Sequence, residues 1–188
     1  PEPLGVAVLA ETVGQVAAGG CSTVGVKPLA EQIIEQANCI SPGAYFAVPP
    51  RPNLTLSSSV LGYLEEPARD AFVLALDAQP ATGMQVNSML RTVAQQYLLY
   101  GWYLAGQCGI SLAAAPGNSN HETGLAVDVQ QYQTWQAGLE AHGFAWFGAA
   151  DANHFDYVGP GAVDFKGTDV LAFQMLWNLN HPEDPIAE

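Results

Sequence analysis

The sequence predicts an α+β fold in which a small antiparallel sheet packs against helices. Two periodicities predict it. Apolar residues at helical spacing and helix-forming composition indicate helices over residues 27–37, 65–78, 92–105, 132–142 and 169–179. Alternating apolar and polar residues indicate strands over residues 83–88, 110–115, 125–130 and 154–157. The small, apolar residues 1–20 have no clear period, so an extended lead-in or a weak strand is expected there.

Charge and hydropathy exclude several function classes. The 188 residues carry a formal charge of -13, because 18 acidic residues face only five basic ones. Nucleic acid is therefore not an expected partner, since its binding depends on Lys and Arg that neutralise phosphates. No apolar run approaches the ~20 residues of a membrane helix. The chain also begins without a basic, signal-like start, so we expect a soluble monomer or a mature form already trimmed.

Three cysteines, Cys21, Cys39 and Cys108, have no C-x-x-C spacing, which argues against metal binding by thiolates. We expect one disulfide and one remaining thiol, without choosing the pair, and three buried thiols are the alternative. A disulfide favours an oxidising compartment.

The candidate metal ligands follow two loops that run into strands. His121 lies in a Gly/Asn/Ser-rich turn, and Asp128 lies in the strand that follows, on the face opposite Val127 and Val129. His154 begins a second strand. Two imidazoles and one carboxylate suit zinc, whose catalytic sites commonly have three protein ligands and a water. Asp151, three residues before His154, is placed to accept a proton from that water without binding the metal.

These residues resemble a known family. The patterns Ser119-x-His121-x-x-Gly124-x-Ala126-x-Asp128, Asp151-x-x-His154 and Ser88-x-x-Arg91-Thr92-x-x-Gln95 are similar to those of zinc D-Ala-D-Ala carboxypeptidases and their L-Ala-D-Glu endopeptidase relatives. The wider group includes lysostaphin and hedgehog, and the resemblance covers residues 84–158. Many members have Glu where this chain has Asp151. The endopeptidase branch often has Asp, so this departure bears on the substrate.

The resemblance implies a fold and a reaction. The fold is hedgehog/D-Ala-D-Ala peptidase-like, with the sheet carrying one zinc ion held by His121, Asp128 and His154. The implied reaction is hydrolysis of a peptidoglycan stem peptide by a secreted, periplasmic or cell-wall protein. D-Ala-D-Ala carboxypeptidase is the first candidate, and an L-Ala-D-Glu endopeptidase or a non-catalytic zinc-containing binding module are the alternatives.

Individual residues receive roles in this scheme. Asp151 would be the general base and then the acid. Arg91 would bind the substrate carboxylate or the oxyanion through its planar fork, with a surface ion pair as the alternative. The resemblance adds Gln95 and Ser119 as substrate contacts; for Ser119, turn formation is the alternative.

Asp156 and His142 lie near these residues in the sequence and have alternative roles. Asp156 would orient a ligand ring or be a solvated acid. His142 is expected to be a helix-end residue rather than a ligand.

The chain is expected to divide into three parts. Residues 1–80 would form a helical, loop-rich extension packed on a zinc peptidase core at residues 81–165. Residues 166–188 would hold a C-terminal helix capped by Thr168. That helix either packs on the core or opens a truncated peptidoglycan-binding-like module.

Overall fold

A computed structural model describes residues 11–188, which form six helices and seven short strands. The helices are α1 Val13–Gly19, α2 Lys27–Ile40, α3 Glu66–Ala78, α4 Val93–Leu104, α5 Tyr132–Glu140 and α6 Thr168–Asn180. The strands are β1 Phe46–Ala47, β2 Leu54–Leu56, β3 Tyr63–Leu64, β4 Met84–Ser88, β5 Ala126–Val129, β6 Phe144–Trp146 and β7 His154–Tyr157. None of the described helices is long and apolar enough to cross a membrane.

The main sheet has the order β2-β4-β5-β7-β6, and a separate pair joins β1 to β3. All neighbours in the main sheet are antiparallel except β2, which runs parallel to β4 at the edge. The predicted α+β class with a small antiparallel sheet is thus confirmed, with one parallel edge strand added.

The alternation predicted for β5 and β7 decides which side chains enter the core. Val127, Val129, Phe155 and Tyr157 point into a cluster built with α3 and α5. Because neighbours along a strand face opposite sides, Asp128, His154 and Asp156 point away from this core. The apolar half of each strand therefore anchors a rigid polar face.

A second cluster joins α2, α4 and α6. Ile33 and Ile34 of α2, Leu98 and Trp102 of α4, and Ala172 of α6 are buried there. Each helix contributes an apolar stripe at helical spacing, which is why the segments fold together. This cluster supports the back of α4, whose first turn follows the predicted Arg91.

Three local predictions are wrong. Residues 13–19 form helix α1, which Thr12 and Gln15 start with a reciprocal capping box, whereas residues 1–10 lie outside the described part. Residues 110–115 form no strand, and the positions beside β5 are taken by β4 and β7. Gly167, rather than Thr168, precedes α6 as its N-cap.

The predicted disulfide and leftover thiol are both confirmed. Cys21 bonds to Cys108, and Cys39 is free and exposed on α2. The disulfide joins the segment before α2 to the loop after α4, which are far apart in sequence. It therefore fixes the N-terminal part of the described chain to the region that the metal candidates face.

Candidate active site

Three strands place their polar side chains in one row. Ser88 on β4 is the register partner of Asp128 on β5, and Asp128 is in turn the register partner of His154 on β7. Directly opposed residues on neighbouring strands have Cβ atoms about 4.5–5.5 Å apart. The register itself therefore brings Asp128 and His154 within reach of each other.

His121 comes to this row from a tight turn, Asn120–Thr123. Ser119 caps the turn, and its Oγ atom accepts a hydrogen bond from the His121 backbone N–H at 3.3 Å. The buried Glu122 carboxylate accepts from the backbone N–H groups of Gly117 and Ser119 at 2.8 and 2.9 Å. The Arg91 backbone N–H donates to the His121 carbonyl at 3.1 Å, so the turn is fixed next to β4.

The donor atoms of His121, Asp128 and His154 converge. One atom from each lies within 4.8 Å of the others. Oδ1 of Asp128 lies 3.3 Å from Nε2 of His121 and 3.0 Å from Nδ1 of His154. Ligands about 2.0–2.1 Å from a tetrahedral zinc are about 3.3 Å apart, so this donor set fits such an ion.

The other nitrogen of each ring has its own partner. Nδ1 of His121 lies 2.8 Å from the Met89 carbonyl oxygen, which can only accept, so Nδ1 carries the proton. Nε2 of His154 lies 2.9 Å from Oδ1 of Asp156. Such partners fix the tautomer and orientation of a metal-binding imidazole. His121 therefore offers Nε2 and His154 offers Nδ1.

Electrostatics keep the Asp128 carboxyl ionised. Burial alone raises its pKa, but His121, His154 and Arg91 outweigh burial and hold the pKa well below its usual range. For His154, burial lowers the pKa, but hydrogen bonds to Asp128 and Asp156 outweigh it and raise the pKa to about 9. Burial lowers the pKa of His121. Asp128 thus interacts electrostatically with both imidazoles and with Arg91.

Asp151 lines the same cleft. It ends the short turn Ala149–Asp151, is exposed, and lines a cavity of about 390 Å³ together with the three candidate ligands. The Phe147 ring meets the His154 ring edge-on at 5.4 Å and forms part of the same wall. The opposite wall is the loop of residues 110–114 that was predicted to be a strand. A carboxylate without a ligand role therefore faces the space beside the candidate metal position.

Arg91 is largely buried in the cleft rather than paired at the surface. Its Nη2 atom lies 3.7 Å from Oδ2 of Asp128 and donates to Ser88 Oγ at 3.0 Å. Its Nη1 atom donates to Oε1 of Gln96 at 2.9 Å. Burial lowers the pKa of Arg91, opposed by Asp128, Glu122 and Asp151. The guanidinium is held from two sides, with its charge directed at the cleft.

Gln96 was not among the residues predicted from the sequence, where Gln95 was the expected substrate contact. Successive helical residues point about 100° apart, so the two glutamines face different sides of α4. Gln96 bonds Arg91 and donates to the Ala114 carbonyl at 2.7 Å. Gln95 instead donates to Thr23 Oγ1 at 3.1 Å and to the Ser59 carbonyl at 2.9 Å. Gln95 lies at a second cavity that adjoins the first.

The remaining candidates are placed as follows. Ser119 lines the cleft but its hydroxyl caps the His121 turn, which is the alternative weighed for it. Nδ1 of His142 is bonded to the Gly138 carbonyl at the end of α5. Lys166, the other basic residue after residue 80, lines a separate depression next to Asp156. Glu122 could have been found from sequence, because Ser119-x-x-Glu122 matches a capping box.

Two histidines and an aspartate around one point, with a free carboxylate and a buried arginine in the same cleft, define a metal-dependent hydrolase. A family model described as VanY, D-alanyl-D-alanine carboxypeptidase, matches residues 63–160, more than half of the chain. The chain belongs to this family. The match includes every candidate site residue from Arg91 to His154.

Three solved structures are similar to this chain, and the first of them supports the fold. The LdcB LD-carboxypeptidase is 20% identical over 70% of this chain and 73% of its own, with a TM-score of 0.50. The vancomycin-resistance D,D-pentapeptidase VanY, solved as a mutant with Zn(II), is 18% identical over 60% and 80%, with a TM-score of 0.42. VanYB in complex with D-Ala-D-Ala is 19% identical over 73% and 94%, with a TM-score of 0.43. No curated protein matches the chain.

Proposed function

We propose that the chain is a zinc-dependent peptidase that removes the terminal residue of peptidoglycan stem peptides, with D-Ala-D-Ala as the preferred end. The single observation that carries the proposal is the convergence of His121, Asp128 and His154 in a cleft that also holds Asp151 and Arg91. Family membership supplies the reaction class. A VanY structure holds Zn(II) and a VanYB structure holds D-Ala-D-Ala, which supports this metal and this substrate.

His121, Asp128 and His154 would hold the ion through Nε2, a carboxylate oxygen and Nδ1. When bound, zinc supplies a Lewis acid that activates water and polarises the scissile carbonyl. The chain contributes the orientation of the three donors. Met89 and Asp156 hold the two rings from behind, so little rearrangement is needed on binding.

Asp151 would move the proton. As an exposed carboxylate in the cleft, it accepts a proton from the attacking water and donates it to the nitrogen of the leaving amine. It lies on a turn that precedes β7, so the same segment that delivers His154 also sets its position. The proton thus leaves the water and arrives on the product through one group.

Arg91 would meet negative charge on the substrate. Hydrogen bonds from two of its nitrogens fix the guanidinium plane, and no other lysine or arginine lines the cleft. Such a fork can bind a carboxylate in bidentate fashion or stabilise an oxyanion. A short anionic peptide end suits a single buried cation of this kind.

The disulfide supports action outside the reducing cytosol. Bonds of this kind form and persist in secreted, periplasmic or cell-surface proteins. Cys21 lines the cavity next to the cleft, and its bond to Cys108 holds that wall on the loop after α4, so a reducing compartment would loosen the wall. We therefore propose a cell-wall or periplasmic location.

Defined muropeptides test the proposal. The zinc-loaded protein is incubated with a pentapeptide stem that ends in D-Ala-D-Ala, and the products are identified by mass spectrometry. We expect loss of one alanine. Cleavage of tetrapeptides at the L,D bond would indicate the activity named for LdcB, and a cut between L-Ala and D-Glu would indicate the endopeptidase alternative. Stoichiometric zinc without any cleavage would leave a binding module.

A further inference from the structure

A second cavity of about 200 Å³ adjoins the cleft that holds the candidate metal ligands. The two cavities share Arg91, Leu99 and Asp128, so Arg91 and Asp128 stand at the junction between them. A peptide whose scissile bond lies at the metal would thus extend in one direction past Phe147 and in the other into this second cavity. What closes the second cavity decides how much chain can follow the scissile bond.

The far wall of the second cavity is the segment before α2. Cys21, Ser22 and Thr23 line it, together with Ser59 from the loop after β2. We call residues 21–26 the N-terminal wall. These residues precede the region that the family model matches, so the wall is not part of the shared core.

Three independent attachments hold the wall in place. Cys21 is bonded to Cys108 in the loop after α4. Gln95 of α4 donates to both Thr23 Oγ1 and the Ser59 carbonyl, so one amide ties the wall to the neighbouring loop. Lys27 Nζ, directly after the wall, donates to the Val60 carbonyl at 3.0 Å. The wall is therefore fixed on α4 and on the 58–60 loop.

The lining of the second cavity suits a small end group with a negative charge. Hydroxyl and amide side chains dominate it, and its cation is Arg91. Asp128 is the carboxylate that lines this cavity, and it already contacts the two histidines and Arg91. With about 200 Å³ against about 390 Å³, the second cavity has about half the volume of the cleft beside it, which suits a short end group rather than an extended peptide.

We propose that the N-terminal wall is the specificity-determining element that makes this site an exopeptidase site. It closes the cleft one residue beyond the scissile bond, so the C-terminal residue is held with its carboxylate toward Arg91. A longer leaving segment would have to displace Thr23 and break its bond to Gln95. The inference rests on the proposed function, and it assigns a role to Gln95 that differs from the direct substrate contact expected from the sequence.

The experiment compares two peptides in the zinc-loaded protein. One ends in D-Ala-D-Ala with a free carboxylate, and the other carries one additional residue after the scissile bond. The measured quantity is kcat/KM for the peptide that ends in D-Ala-D-Ala divided by kcat/KM for the longer peptide. In the Cys21→Ser/Cys108→Ser protein we expect this ratio to fall by at least about tenfold, because the wall is released while the metal ligands are unchanged.

Reduction of the native protein gives a matched test. A dithiol reagent donates two electrons and two protons to the Cys21–Cys108 bond and becomes a disulfide itself. In a Cys39→Ser background, where the exposed thiol is removed, the reagent must still lower the ratio. In the Cys21→Ser/Cys108→Ser protein it must have no effect.

A cavity-filling variant, Ser59→Trp, covers the case in which the double cysteine variant does not fold. We expect it to bind zinc at unchanged stoichiometry, to raise KM for the free-carboxylate peptide at least about tenfold and to lower kcat less. If the wild-type protein releases alanine, but the ratio is unchanged in the double cysteine variant and after reduction and KM is unchanged in Ser59→Trp, the wall proposal is wrong. If the wild-type protein cleaves neither peptide, the proposed function itself is overturned.

Discussion

Nε2 of His154 lies 2.9 Å from Oδ1 of Asp156, two residues along the same strand. Because alternate residues of a strand share a face, β7 delivers both the candidate ligand and the carboxylate that orients it. Asn120 Nδ2 donates to the same Asp156 oxygen at 3.0 Å, so the His121 turn is tied to this pair. This contact leaves Nδ1 of His154 as the nitrogen that would bind a metal ion.

Asp156→Ala is therefore expected to weaken zinc binding by about 10–100-fold, since such partners raise ligand basicity and fix the ring. Asp156→Asn retains an acceptor and should lose less. Competition with a chromophoric chelator measures the affinity. The exposed Asp164→Asn is the control for loss of an acid. Equal zinc affinity in Asp156→Ala and wild type would show that His154 needs no orienting partner.

His121→Ala should abolish stoichiometric zinc binding, because two donors do not make a stable site of this type. The matched control is His142→Ala, in which the lost imidazole bonds only the Gly138 carbonyl. Metal content after dialysis distinguishes them, with one zinc per chain expected in the control. Since a bound ion stabilises the folded state by mass action, added zinc should raise the Tm of the control and not that of His121→Ala. Retention of zinc by His121→Ala would contradict the assignment.

Gln96→Ala should lower kcat/KM about tenfold or more while zinc content is unchanged, because Nη1 of Arg91 loses its hydrogen-bond acceptor. Gln96→Glu retains an acceptor and should recover part of the loss. Gln136→Ala, on the exposed face of α5, is the control. A structural role alone would lower stability without selective loss for peptides that have a free carboxylate, so the comparison with C-terminally amidated peptide decides the assignment.

Asp169 is expected to make stability fall as pH rises. It is fully buried on α6 and accepts from the Val93 backbone N–H at the start of α4, while its Oδ1 atom has no partner among the described residues. Burial raises its pKa from 3.8 to about 7, so the folded state binds a proton more tightly than the unfolded state. The stabilisation is present below pH 4 and is lost as pH rises through 7.

The Tm of Asp169→Asn minus the Tm of wild type should consequently rise by roughly 4 °C or more between pH 5 and pH 8. Thermal unfolding at both pH values measures the difference, with exposed Glu31→Gln as the baseline. A constant difference between Asp169→Asn and wild type across this range would mean that the Asp169 carboxyl ionises normally in the folded protein.

The strands and helices of the core could be predicted because their periodicity reflects burial. Val127, Val129 and Phe155 fill the core, and this fixes the opposite faces of β5 and β7 that carry Asp128 and His154. The approach of His121 could be predicted only in outline. Its direction depends on a capped turn and on its bond to the Arg91 backbone, which joins residues distant in sequence.

The errors have physical causes. Residues 95 and 96 are both glutamine and differ only in the side of α4 that they face. An error of one residue in the predicted start of α4 therefore exchanges their roles. Residues 110–115 were expected to form a strand next to β5 in sequence, but β4 and β7 are the strands that pair with β5. The pairing of Cys21 with Cys108 depends on tertiary proximity, which spacing does not encode.

The most direct test of the central claim is Asp151→Asn, measured for zinc content and for alanine release from a stem peptide that ends in D-Ala-D-Ala. The substitution keeps the size of the side chain and removes its ability to accept a proton. We predict one zinc per chain and a kcat at least about 10²-fold below wild type, with the exposed Asp70→Asn protein as the control. Release of alanine at the wild-type rate by zinc-loaded Asp151→Asn would contradict the account.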